Sequence, residues 1–147
     1  MPPGKGLKLR HRVLIASQPE AWVVVKRMIG EVVDLVPVHT MAKAFQVLER
    51  DAASIDLILC TIAFDESRMI EFLQVVKRQP TMRNVPFLGV RVLASVLSDD
   101  SVGRVGTACK NCGAVDLLDL GRLDDGAAKT ALRAAVMQHG ARRPAEL

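Results

Sequence analysis

The chain reads as an α/β fold, a parallel sheet of five strands with helices on both faces, and three observations predict it. Short aliphatic runs alternate with stretches whose apolar residues recur at helical spacing. Half of the 147 residues are hydrophobic, yet there is one Trp, four Phe and no Tyr. The core therefore rests on Val, Leu, Ile, Ala and Met, the composition that strands buried on both faces require. Turn-forming and polar residues punctuate the runs, and the length suits one domain of ordinary size.

The elements follow in order. Strand one spans Arg12 to Ser17. A helix runs from Pro19 to Ile29, with Pro19 in the first turn, where a missing N–H costs little, and Gly30 ending it. Strand two is Val32 to Val38. Thr40 is the expected N-cap of a helix through Arg50, whose Ala44, Val47 and Leu48 share a face. Strand three is Ile55 to Thr61. A helix from Ser67 to Gln79 carries Met69, Phe72, Leu73 and Val76 as its apolar stripe, and Pro80 stops it.

Strand four is Val85 to Arg91, with Gly89 marking a close backbone approach. Ser98-Asp99-Asp100-Ser101 opens a weaker helix to Cys112, in which Gly103 and Gly106 each cost about 1 kcal/mol relative to Ala. Strand five runs from Ala114 to Leu118 or Asp119. Asp124 or Asp125 starts the last helix, which ends at His139 with Ala128, Leu132, Ala135 and Val136 facing inward. Crossovers between parallel strands are right-handed by default. Residues 11–140 are expected to form the domain, residues 1–10 a flexible basic arm and residues 141–147 a flexible tail. No internal repeat, linker or second domain is expected within these residues.

Composition narrows the function classes. The formal net charge is +4, and part of the surplus lies at the ends, in Lys5, Lys8, Arg10, Arg12, Arg142 and Arg143. A surplus that small aids solubility and argues against a nucleic-acid partner, as does the scarcity of aromatics for base stacking. No apolar run approaches the roughly 18 residues of a membrane span. The Val13–Ala16 run is too short for a signal peptide. The expectation is a cytoplasmic protein with no membrane contact, and an odd cysteine count fits a reducing compartment.

Few residues suggest catalysis. Cys109-Lys110-Asn111-Cys112 is a CxxC, but it falls at the end of a helix, where the dipole does not favour a thiolate. A zinc site needs a second pair of ligands, and none appears at suitable spacing. The pair is read as structural, ahead of redox or metal binding. His11, His39 and His139 are scattered, and there is neither a nucleophile elbow nor a Gly-rich phosphate loop. No enzyme activity, no metal and no cofactor is expected. Trp22, in the first turn of the first helix, is expected close to the carboxyl ends of the strands.

Several segments resemble the response-regulator receiver (CheY-like) family. They are Val13-Leu14-Ile15-Ala16-Ser17-Gln18-Pro19-Glu20, Ala42-Lys43-Ala44-Phe45-Gln46-Val47-Leu48, Ile55 to Thr61, Val75 to Pro86, and Cys112-Gly113-Ala114-Val115-Asp116-Leu117-Leu118. Each is weak alone, but their order and spacing are specific, and they cover about residues 12–140. The resemblance implies a flavodoxin-like fold with strand order 2-1-3-4-5 and a functional crevice at the carboxyl ends of the strands.

It also implies a site, and this sequence departs from it at every position. Where receivers carry the acidic pair that helps hold Mg²⁺, this chain has Ser17 and Gln18. The phospho-acceptor aspartate falls on Thr61, the switch hydroxyl on Arg91 and the lysine after strand five on Leu120, or on Asp119 with a shift of one. The proline beyond it is Gly121. Phosphoryl transfer needs a nucleophile, a cation and donors for the phosphoryl oxygens. None of these replacements supplies them. Arg91 is a candidate anion site; the plainer reading points it into solvent or pairs it with Asp65 or Asp119. Asp65 is the nearest acid for a displaced acceptor, but a loop position is misplaced for in-line attack.

The resemblance thus implies a stand-alone receiver-like protein of bacterial two-component or phosphorelay signalling that is not phosphorylated and works by protein contact. The segment between Arg91 and Gly113 is longer than the family pattern by roughly seven residues, either an altered partner surface or a harmless loop, since insertions are cheap. A protein partner, or a second copy of the chain in a homodimer, is expected on the region Asp99 to His139. Two alternatives stay open: a conventional phospho-acceptor with a displaced site, and a small anion- or ligand-binding domain using the same crevice.

Overall fold

The computed structural model describes residues 10–93 and 98–140. Five strands, β1 (Arg12–Ala16), β2 (Asp34–Val38), β3 (Leu57–Thr61), β4 (Phe87–Arg91) and β5 (Asp116–Asp119), form one sheet in the order β2-β1-β3-β4-β5. Every pairing is parallel. The helices are α1 (Pro19–Ile29), α2 (Met41–Asp51), α3 (Met69–Arg78), α4 (Asp99–Asn111) and α5 (Asp125–His139). This is the flavodoxin-like arrangement that the sequence implied.

Side chains alternate across each strand and so divide the core in two. Leu14, Ala16, Ile58, Cys60 and Phe87 face one layer, where α2, α3 and α4 contribute Leu48, Phe72, Leu73 and Cys109. Val13, Ile15, Leu57, Leu59 and Val90 face the other, against Val25 and Ile29 of α1 and Leu132 and Val136 of α5. The central strands β3 and β4 are buried along their whole length, whereas β2 and β5 are partly exposed. Pro37 lies on β2, an edge strand, where a residue without an N–H does least harm to the ladder.

The helix starts follow from caps. Thr40, Ser98 and Asp124 each accept a hydrogen bond from the backbone N–H three residues on. The expected helix over Ser67 to Gln79 starts later, at Met69, because Asp65, Glu66 and Ser67 have φ of 46°, 60° and 64°. This left-handed turn costs about 1–2 kcal/mol per non-glycine residue. Two contacts offset it: Phe64 is fully buried, and Asp65 Oδ2 accepts from the Met41 N–H at 2.8 Å. Asp65 therefore satisfies an otherwise orphaned amide at the start of α2.

Four strands begin later than the aliphatic runs suggest, at Asp34, Leu57, Phe87 and Asp116, for one shared reason. The Val33, Ile55, Val85 and Ala114 amides donate to Ile29, Ala52, Met82 and Cys109, closing the turn that precedes each strand. An amide held in that turn is not available to the ladder. The last residue of the expected basic arm, Arg10, is the one described. Arg10 is anchored, with Nη2 donating to Gly30 and Val33 carbonyls and Nε 3.2 Å from Asp34. The rest of the arm and the tail 141–147 lie outside the described residues.

All four phenylalanines of the chain meet in one cluster. Phe72 stands at its centre, with ring centroids 5.4, 5.3 and 5.7 Å from Phe45, Phe64 and Phe87, each pair tilted as aromatic quadrupoles prefer. The cluster ties α2, the left-handed turn and β4 to α3. Phe72→Ala is expected to cost about 3–5 kcal/mol, read as a lower urea midpoint with an unchanged slope.

Candidate functional site

A sheet covered on both faces has no place for polar side chains along its central strands. Among the described residues only Ser17, Thr61 and Arg91 are buried polar or charged side chains. They sit at or one residue past the carboxyl ends of β1, β3 and β4, three neighbouring strands. A cavity of about 160 Å³ opens at the same end of the sheet. Gln18, Thr61, Ser67 and Arg91 give it a polar side; Ile62, Val90 and Leu93 belong to its apolar wall.

The structure brings two of the sequence-derived positions into direct contact. The Thr61 hydroxyl donates to Gln18 Oε1 at 2.8 Å, joining the ends of β3 and β1. The Gln18 Nε2 group makes no hydrogen bond among the described residues. Ser17 is held by its backbone: its N–H donates to Val38 at 3.1 Å, and its carbonyl accepts from His39 Nδ1 at 2.7 Å. Its hydroxyl is buried and makes no hydrogen bond among the described residues.

Arg91 is paired within the protein. Its Nη1 lies 3.2 and 3.4 Å from the two Asp119 carboxylate oxygens, between register partners on β4 and β5. The side chains are 8% and 26% exposed. Asp119 Oδ1 also accepts from the Gly121 N–H at 3.0 Å. Of the two readings of Arg91, pairing is realised, and the partner is Asp119, not Asp65. Leu120 is buried among the residues of the α1–α5 layer, a packing site rather than a polar one.

The residues do not fit a divalent cation. Ser17, Gln18 and Thr61 bring no anionic oxygen, which a hard cation prefers. Among the described residues no group of three or more His, Cys, Asp or Glu could hold a metal. Asp65, the candidate displaced acceptor, has its carboxylate on the α2 amide, and Ser67 reaches the cavity instead. Sequence reasoning missed Ser67, read there only as a helix start. A left-handed run of non-glycine residues leaves no local signal.

Trp22 corrects another expectation. It faces a groove with Val23, Lys26 and Lys129, and Lys26 Nζ stands 5.9 Å from its ring. Ala21 faces the crevice in its place. Consecutive helical residues point about 100° apart, so a tryptophan one position from a pocket reports on a different surface.

The cysteines are free thiols, with Cys60 and Cys109 buried. Burial, then the neighbouring Cys112 and Asp116, push Cys109 up to about 11, with Lys110 opposing. Burial raises Cys60 well above the usual thiol range, and Cys109 adds to it. A raised pKa opposes the nucleophilic thiolate that redox chemistry needs.

No protein-family model matches the chain, and no curated protein matches it in sequence. Solved structures do match. The phosphorylated cyanobacterial phytochrome response regulator RcpA is 16% identical, with a TM-score of 0.68 over 92% of this chain and 99% of that one. The receiver domain of a sensor histidine kinase from Pseudomonas aeruginosa, solved with magnesium coordinated in its active-site cleft, is 18% identical, with a TM-score of 0.68 over 89% and 98%. The chemotaxis response regulator CheY4 of Vibrio cholerae is 13% identical, with a TM-score of 0.63 over 85% and 98%. The fold is that of a response-regulator receiver domain. Within this receiver fold, the cavity lies at the carboxyl ends of β1, β3 and β4, and the buried polar residues around it are neutral or internally paired. No helix of the described residues is long and apolar enough to cross a membrane.

Removing the Asp119 carboxylate takes an acidic partner from a buried guanidinium. Asp119→Ala is expected to destabilise the fold by about 1–3 kcal/mol, and Arg91→Met in the same chain to recover part of that loss in urea unfolding. The thiols give a pH signature. Because Cys109 ionises harder in the folded than in the unfolded chain, its contribution to stability is complete below its ordinary value of 9.0 and falls as pH rises from there towards about 11. At pH 8, iodoacetamide followed by peptide mass mapping is expected to modify Cys112 first and leave Cys60 and Cys109 protected until the protein unfolds.

Proposed function

We propose that this chain is a receiver-like module of bacterial two-component or phosphorelay signalling that is not phosphorylated. It acts in the cytoplasm by binding another protein and catalyses no reaction of its own. The observation that carries this reading is the Thr61–Gln18 hydrogen bond. It joins the ends of β3 and β1 through a neutral hydroxyl–amide pair where phosphoryl transfer calls for a carboxylate nucleophile and anionic metal ligands.

The Arg91–Asp119 pair supports the same reading, since an ion pair already closed within the protein is poorly suited to respond to a phosphoryl group. The docking region we assign is Asp99 to His139, comprising α4, β5 and α5, for a protein partner or a second copy of the chain. Val115, Leu123 and Met137 are exposed there, three of the four large hydrophobic side chains most open to solvent among the described residues.

Intact mass after incubation with Mg²⁺ and acetyl phosphate tests the central claim. The expected result is no added phosphoryl mass on the folded chain under conditions that label a conventional receiver. A stoichiometric phosphoryl adduct, lost in Asp65→Asn, would establish a displaced acceptor and overturn the reading.

A further inference from the structure

We propose that the crevice is a binding site for a small uncharged molecule of about one ring, carrying a hydrogen-bond acceptor for the Gln18 amide. The inference rests on the reading above that the crevice has no phosphoryl chemistry. Three observations point to this ligand class. The first is size: the cavity is about 160 Å³. An apolar protein cavity of roughly 150 Å³ holds a benzene molecule.

The second is the arrangement of the walls. Ile62, Val90 and Leu93 supply an apolar side for a flat ring. On the polar side Thr61 holds Gln18 Oε1, which fixes the amide plane and leaves the Nε2 group as donor. Donors held in place by a second contact recognise a ligand at lower entropic cost than mobile ones. A carbonyl or ring nitrogen on the ligand would complete that amide.

The third is charge. Among the described residues that line the cavity, Arg91 alone is charged, and Asp119 already pairs with it. An anion would have to compete with a carboxylate held in place by a second hydrogen bond, from the Gly121 N–H. A cation would meet the guanidinium. A neutral molecule pays neither cost.

Benzamide and benzoate, which share a shape and differ in charge, separate the cases. The ¹⁵N-labelled full chain is titrated with each and followed by two-dimensional ¹H–¹⁵N NMR. Benzamide is expected to shift the Gln18 side-chain amide and the Thr61 and Ile62 backbone signals saturably, with Kd on the order of 1 mM or tighter. Gln18→Ala is expected to weaken it about tenfold. Ala63→Leu, at a half-buried position of the cavity rim, is expected to abolish binding while the spectrum stays dispersed.

Three outcomes would overturn the proposal: no saturable shift with benzamide, a shift that survives both substitutions, or benzoate binding as tightly as benzamide. Acetyl phosphate labelling and benzamide binding fail independently. A phosphoryl adduct defeats the reading of the inactive site, whereas absent benzamide shifts in a chain that takes up no phosphoryl group defeat only the ligand site.

Discussion

The parallel sheet, covered on both faces, sets the terms for everything else in this molecule. Its central strands have no solvent side, so their side chains must be apolar, and their backbone groups must pair in the ladder. Polar side chains can enter only where the strands stop. Ser17, Thr61 and Arg91 do so together because β1, β3 and β4 are neighbours. The order β2-β1-β3 adds a second constraint. The chain leaves β1 towards β2 on one side and leaves β3 towards β4 on the other, which opens a crevice between them. Gln18 and Thr61 meet at that switch point. The cavity is thus a consequence of topology, and the residues present decide only what it can hold.

Site and core are coupled through the left-handed turn after β3. Its backbone is costly, and it persists because other parts of the structure over-determine it. Phe64 at its start is locked into the phenylalanine cluster, Asp65 is bonded to α2, and Ser67 at its end reaches the cavity. A change in the aromatic cluster would therefore be felt at the cavity rim.

The Arg91 charge at the crevice is paired within the protein. A hydroxyl–amide bond joins the ends of β1 and β3, and an internal ion pair joins those of β4 and β5. Buried ion pairs contribute more reliably to fixing one arrangement than to net stability. Here the Arg91–Asp119 pair clamps the ends of β4 and β5, and Gly121 leaves room for it: a Cβ there would stand 3.2 Å from Arg91 Nε. The result is a receiver fold whose crevice is shaped and polar on one side but does not depend on a metal for charge balance.

Local patterns in the sequence determined the elements. Thr40, Ser98 and Asp124 cap as their side chains dictate, the stripe Met69, Phe72, Leu73 and Val76 faces inward, and the aliphatic runs become strands. The neutral character of Ser17, Gln18 and Thr61 was equally legible, because it concerns identity alone. These features rest on interactions within about one helical turn or on strand alternation, which a linear pattern encodes. Tertiary structure decided the rest: that Thr61 bonds Gln18 across 43 residues, that Arg91 takes Asp119 across 28, that four phenylalanines converge, and that Asp65 serves α2. Those contacts depend on sheet register and on a turn of left-handed residues, and neither has a short-range signature in the sequence.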